Sequence, residues 1–408
     1  MPAADRLRCV VLGALCLTLF VLLGCERQPA PTDGGGTTRP AAATGSAANE
    51  AAGGGKPVLI GHFASMTGSE ATFGQSTDAG IRLAVKEANA AGGIMGRKIE
   101  LKTYDDQGKP QEAGTAVTRL ITSDKVVAVL GEVASSLSLA GGRVCQQYGV
   151  PMITPSSTNP AVTRTGDMVF RVCYTDPFQG EVCARFAREQ LKAQTAATLY
   201  DQQQAYSKGL NDYFKKSFTE LGGTITTEQA YSGGDQDYSA QLTTLRATQP
   251  DVLFLPGYYT DVANIALQVR KLGITVPLLG GDGWDSDKLA KIGGTAIEGA
   301  YYANHYAPDE QRPEVQEFIK RFQGEFKGEV PDGMAATGYD AALILFDALR
   351  RTPSLEGKAL AKAIGETKDF HGVTGTISID PDRNAKKPCL IVQVKNGQTT
   401  FVASYMPK

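Results

Sequence analysis

No two cysteines in this chain have the C-x-x-C spacing of zinc ribbons or redox motifs, and its three histidines, His62, His305 and His371, are scattered. Neither a metal centre nor another cofactor is expected. Charge of one sign is also missing. Across 408 residues, 41 Lys plus Arg stand against 43 Asp plus Glu, so the overall field does not favour nucleic acid, and no such partner is expected. Enzyme signatures are lacking as well. The chain has no G-x-S-x-G nucleophile elbow, no H-E-x-x-H and no G-x-G-x-x-G after its first strand. Its G-G-G-K run at 53–56 lacks the Ser or Thr and the helix of a phosphate loop. Catalysis therefore loses ground, and no enzyme is expected.

What is present begins at the N-terminus. Arg6 and Arg8 precede an apolar run at 10–23, too short for a comfortable membrane span, that ends in Leu22-Leu23-Gly24-Cys25. Residues 1–24 thus read as a secretory signal, and the L-x-G-C ending resembles a bacterial lipobox, with Cys25 as the lipid-bearing residue. Residues 25–56 are Ala, Gly, Pro, Thr and Ser with hardly any large apolar side chain, which marks a flexible tether. The expected location is periplasmic or otherwise extracytoplasmic, with the folded part held to the membrane by acyl chains. There Cys145, Cys173, Cys183 and Cys389 meet an oxidising compartment. Three pairings are open to them, and so is the state of free buried thiols.

From Pro57 onward short apolar strands and amphipathic helices take turns. Strands are expected at 58–63, 99–104, 126–130, 151–154 and 168–173, with helices at 78–90, 111–123 and 137–148 between them. The rhythm restarts at 179 and runs to a strand at 277–280. Three helical stretches follow at 312–326, 335–350 and 355–367, and a hairpin turns at Asn396-Gly397. Such alternation predicts parallel sheets covered on both faces by helices, and the length suits two domains.

Polar and aromatic residues collect just after the predicted strands. Phe73, Ser135, Ser136, Tyr206, Tyr258, Tyr259 and Asp282 all do so, as does the turn Pro155-Ser156-Ser157-Thr158. Each alone has an ordinary explanation as a cap, a turn or a core tyrosine. Their shared place at strand ends of two α/β units points to one cleft between two lobes.

The motifs Y-D-D at 104–106, G-E-V-A-S-S at 131–136, P-M-I-T-P-S-S-T at 151–158, D-x-x-x-x-Y at 201–206 and G-Y at 257–258 resemble those of the bacterial leucine/isoleucine/valine-binding proteins. These are the type 1 periplasmic solute receptors of ABC importers. The resemblance implies a type 1 periplasmic binding fold, with two doubly wound parallel-sheet lobes joined by a three-strand hinge. It places lobe one at 57–175 and 304–378 and lobe two at 176–303 and 379–408. It implies that Ser135 and Thr158 hold a ligand α-carboxylate, that the Ser156 carbonyl and Asp282 hold its α-ammonium, and that Phe73, Tyr206 and Tyr258 close over the rest. Asp282 stands where these proteins usually carry Glu, and Gly108 and Ala134 stand where the enteric members have a disulfide. The implied function is capture of an amino acid, branched-chain or similar, for delivery to importer permease subunits by a monomeric receptor. A sensor module for a signalling partner, or a receptor for a related amide or aromatic acid, is the alternative.

Overall fold

The computed structural model describes residues 55–352 and 354–407. The signal sequence, Cys25 and nearly all of the tether lie outside the described residues. The first lobe opens with β1 (Val58–Ala64), α1 (Ala71–Ala90), β2 (Ile99–Asp105), α2 (Pro110–Thr122), β3 (Ala128–Leu130), α3 (Ser135–Tyr148), β4 (Met152–Thr154) and β5 (Val169–Arg171). The five strands are parallel in the order β2-β1-β3-β4-β5. Alternate residues of β1 face opposite ways. Val58 and Ile60 join the core built with α1, while Phe63 joins the core on the α2 side, and a Cβ at Gly61 would meet Leu120 of α2.

The second lobe repeats the plan with α4 (Asp176–Glu189), β6 (Thr195–Asp201), α5 (Ala205–Glu220), β7 (Thr224–Tyr231), α6 (Ser239–Ala247), β8 (Val252–Leu255), α7 (Tyr259–Lys271), β9 (Leu278–Gly280), α8 (Asp287–Gly293) and β10 (Tyr301–Asn304). The chain then returns to lobe one as α9 (Pro313–Glu325), α10 (Gly333–Arg351) and α11 (Gly357–Gly365), which share a core with α1. α10 has an apolar centre and few polar residues, and it is buried along most of its length. A small sheet of β11 (Phe370–Gly372), β12 (Gly375–Ile379) and β13 (Ala385–Lys386) follows. The Arg383 carbonyl accepts from the Arg171 N–H at the end of β5, and the seven-stranded sheet is entered at Cys389.

β14 (Cys389–Lys395) and β15 (Gln398–Tyr405) form the expected hairpin and add to the second sheet as an antiparallel edge, in the order β15-β14-β10-β9-β8-β6-β7. Asn396 and Gly397 both adopt the positive φ that this turn requires. Each sheet has a point where neighbouring strands leave in opposite directions, between β1 and β3 in one and between β6 and β8 in the other. Loops diverge there, and the crevice between them is where open α/β sheets accept ligands.

Candidate functional site

Four loops of lobe one build one wall. After β1 the chain turns at Ser65, whose N–H and hydroxyl both donate to Glu132 Oε1 at 2.7 Å. This ties the end of β1 to the loop after β3. α1 then begins at Ala71, seven residues before the expected start, so Phe73 sits on its first turn and is buried. Ser135 opens α3, where the first backbone N–H groups have no partner within the helix. Its Oγ accepts from the Asn159 N–H at 3.3 Å.

The turn after β4 divides its hydroxyls by task. Ser157 is structural: its Oγ donates to the carbonyls of Glu132 and Val133 and meets Ser138 Oγ at 2.7 Å. Ser156 Oγ is paired with Thr337 Oγ1 of α10 at 2.9 Å, so its side chain is spent within lobe one. Thr158 Oγ1 is buried without a hydrogen bond of ordinary geometry, although it lies close enough to Asp176 to favour the ionised carboxylate there. Beneath the turn, the buried Arg171 guanidinium donates to the carbonyls of Ser157 and Asn159 at 2.5 and 2.7 Å.

The facing wall comes from lobe two. Asp282, 3% exposed, follows β9 and accepts from Gln179 Nε2 at 2.7 Å on one oxygen and pairs with His305 Nε2 at 3.0 Å on the other. Burial lowers the His305 pKa more than Asp282 raises it, so the neutral ring is favoured and donates through Nε2. Tyr206 accepts the Gly283 N–H at 3.0 Å and stacks on Tyr258 with centroids 5.2 Å apart. Phe73 reaches over from lobe one and meets Tyr258 and Tyr259 edge-on at 5.6 and 4.9 Å. Trp284, two residues beyond the acid, is committed to the core, where its indole N–H donates to the Leu255 carbonyl at 2.9 Å.

Phe73, Tyr206, Tyr258 and Asp282 therefore form one connected group. Ser135 is linked to it through Asn159, whose side chain donates to the Ala205 carbonyl beside Tyr206. Three further residues belong here that the sequence did not single out: Asp176, Gln179 and His305. Asp176 is fully buried and its carboxyl is pushed up to about 8, first by desolvation and then by Asp282, against the Thr158 hydroxyl and Arg171. All three lie at or near passages between the lobes, where their only sequence signals were a Thr-Asp-Pro step and one of three histidines. The Tyr258 hydroxyl is buried and has no hydrogen-bond partner among the described residues. The site offers hydroxyl and N–H donors on one wall, a carboxylate on the other and aromatic faces between, an arrangement matched to a small zwitterion.

Comparison with known proteins agrees with this architecture. The chain is 32% identical over 333 residues to Leu/Ile/Val-binding protein homolog 1 of Brucella suis, which covers 81% of this chain and 88% of the relative. The crystal structure of leucine-binding protein LivK from Thermotoga maritima superposes with a TM-score of 0.82 at 38% identity, covering 86% of this chain and 99% of that one. That of the branched-chain amino acid substrate-binding protein LivJ from Streptococcus pneumoniae, in complex with isoleucine, superposes with 0.81 at 30% identity, again covering 86% and 99%. The periplasmic binding protein family model matches residues 57–399, nearly the whole of both lobes, and the chain belongs to that family.

Proposed function

We propose that this protein is an extracytoplasmic substrate-binding component that captures an amino acid, branched-chain or of similar size, between its lobes and presents it to an ABC importer. The observation that carries this reading is the opposition of the α3 N-terminus and the Thr158 hydroxyl on one wall to the Asp282 carboxylate on the other. Ser135 and Thr158 receive the ligand carboxylate, helped by the positive end of α3. Asp282 and the Ser156 carbonyl receive the ammonium, and Phe73, Tyr206 and Tyr258 cover the side chain. The names of the relatives support the ligand class. Residues 57–175 with the later helices act as one jaw and residues 176–303 with the terminal hairpin as the other. The acylated Cys25 and the 25–56 tether keep the monomeric receptor near its permease.

Calorimetry with leucine, isoleucine and valine, beside 4-methylpentanoate as the form lacking an amine, tests the assignment. Asp282→Ala should weaken the amino acids by about 3–5 kcal/mol, because the ammonium is left unpaired in a buried place, and should leave the carboxylate nearly unchanged. If no common amino acid or small carboxylate raises the melting temperature of the wild-type protein, the reading fails.

A further inference from the structure

A second recess lies apart from this clamp, among α8, α9, the start of α10 and the β14–β15 hairpin. None of the seven residues assigned to the clamp lines it. It encloses about 490 Å³ and takes walls from both lobes, with Asp285, Tyr302 and Thr399 on one side and Ile319, Val330 and Asp332 on the other. Its mouth is wet at Asp309, Gln316 and Gln398, and its floor of Asp285, Tyr302, Asn304 and Tyr306 is buried.

Among the described residues no Lys, Arg or His lines the recess. The nearby Lys291 is paired with Asp287 at the rim, and Arg312 with Glu310 and the Val373 carbonyl. The negative charge left over centres on Asp285 and Asp332, which come from opposite lobes. Asp285 accepts from Tyr302 Oη at 3.1 Å and from the Gly333 N–H at 2.6 Å, and Asp332 from Ser76 Oγ at 2.7 Å and the Ala335 N–H at 2.9 Å. These bonds fix the carboxylates without supplying a counter-cation. Burial and then Asp332 push Asp285 up to about 7, and burial holds Asp332 at about 6. A separate observation comes from Tyr306. Its ring packs edge-on against Phe318 and its hydroxyl, among these acids, is buried with no hydrogen-bond partner among the described residues, an arrangement that is costly if left unanswered.

We propose that this recess binds a protonated organic amine, with its ammonium between Asp285, Asp332 and the Tyr306 hydroxyl and a short apolar body against Leu289, Ile319 and Pro331. A divalent metal ion fits less well. Among the described residues no group of three or more His, Cys, Asp or Glu is placed to hold one, and the apolar wall would contribute nothing to it. Because the recess draws on both lobes, its occupant favours the closed arrangement, and amine and amino acid each strengthen the binding of the other.

Calorimetry at pH 8 with butylamine and benzylamine, against butanol and benzyl alcohol, tests this on the full mature protein. The amines should bind and the alcohols should be at least tenfold weaker. Amine binding should persist in Asp282→Ala and drop at least tenfold in Asp332→Asn and in Tyr306→Phe, the latter serving alone if Asp332→Asn does not fold. Absence of amine binding, equal binding of the alcohols, loss in Asp282→Ala, or retention in Tyr306→Phe overturns the proposal.

Discussion

At the scale of single residues, the clamp is governed by which protons its buried groups keep. Asp176 has a folded pKa raised to about 8, so between the ordinary carboxylate range and that value the folded state holds a proton that the unfolded chain has lost. Its contribution to stability is present at low pH and is lost as pH rises through about 8. His305 acts with the opposite sign. Its folded pKa is lowered, so the unfolded state binds the proton more readily and stability falls as pH drops below the ordinary histidine value. Urea midpoints measured at pH 5, 7 and 9 separate the two. Asp176→Asn should flatten the loss toward pH 9, His305→Gln should flatten the loss toward pH 5, and identical pH profiles for wild type and variants would refute both assignments. Asp282 had a sequence signal because it stands at a strand end. Gln179 had none and His305 only that of being one of three histidines, because a partner brought from another passage of the chain is visible only once three separated segments are folded together.

At the scale of elements, the packing of α1 against α10 sets how lobe one is built. A Cβ at Gly80 would come within 2.0 Å of the Ala335 carbonyl oxygen, and one at Gly338 within 2.7 Å of the Thr77 carbonyl oxygen. Small residues let the two backbones approach at this crossing. Gly80→Val should cost about 1–3 kcal/mol by overpacking, read as a lower urea midpoint, while Gly114→Ala on α2, where a Cβ meets open space, should be neutral or slightly stabilising. Most strands and helices were legible in the sequence because their apolar period is strong. The start of α1 was not. Residues 71–77 carry Gly74 and little apolar periodicity, yet Gly74 is required there, since a Cβ would lie 2.2 Å from the Ser65 carbonyl oxygen. Tertiary packing overrides local propensity at that turn, and it is the turn that places Phe73. The small sheet β11–β13 was also unread, because strands of two to five residues offer too few positions for a period of two to show.

At the scale of the whole molecule, the two lobes are joined across the cleft by specific hydrogen bonds. Ser136 Oγ meets Gln204 Oε1 at 3.1 Å and accepts the Ala205 N–H at 3.2 Å, Thr260 Oγ1 donates to the Ser69 carbonyl at 2.7 Å, and Thr72 Oγ1 meets Ser286 Oγ at 2.8 Å. Separating the two walls would break these contacts, so they favour the arrangement in which the walls lie close together. Ser136→Ala and Thr260→Val should each weaken amino-acid binding by about 0.5–1.5 kcal/mol, chiefly through faster release, with little change in the melting temperature of the unliganded protein. Stopped-flow release rates check this, and unchanged rates in both variants would show that these bonds do not hold the jaws shut. The paired lobes and their cleft could be read from the alternation of elements and from the motifs. The recess shared by α8, α9, α10 and the terminal hairpin could not, since its walls come from separate stretches spread between residues 285 and 400.

Trp284 is the only tryptophan in the chain, and it lies two residues beyond Asp282 with its ring against Gly280 and its indole N–H fixed to the Leu255 carbonyl. The indole emission of the unmodified protein therefore comes from a single fluorophore, rigid, shielded from water and attached to the very loop that carries the clamp's acid. Whatever strains or relaxes that loop is reported optically at one known position, without any label.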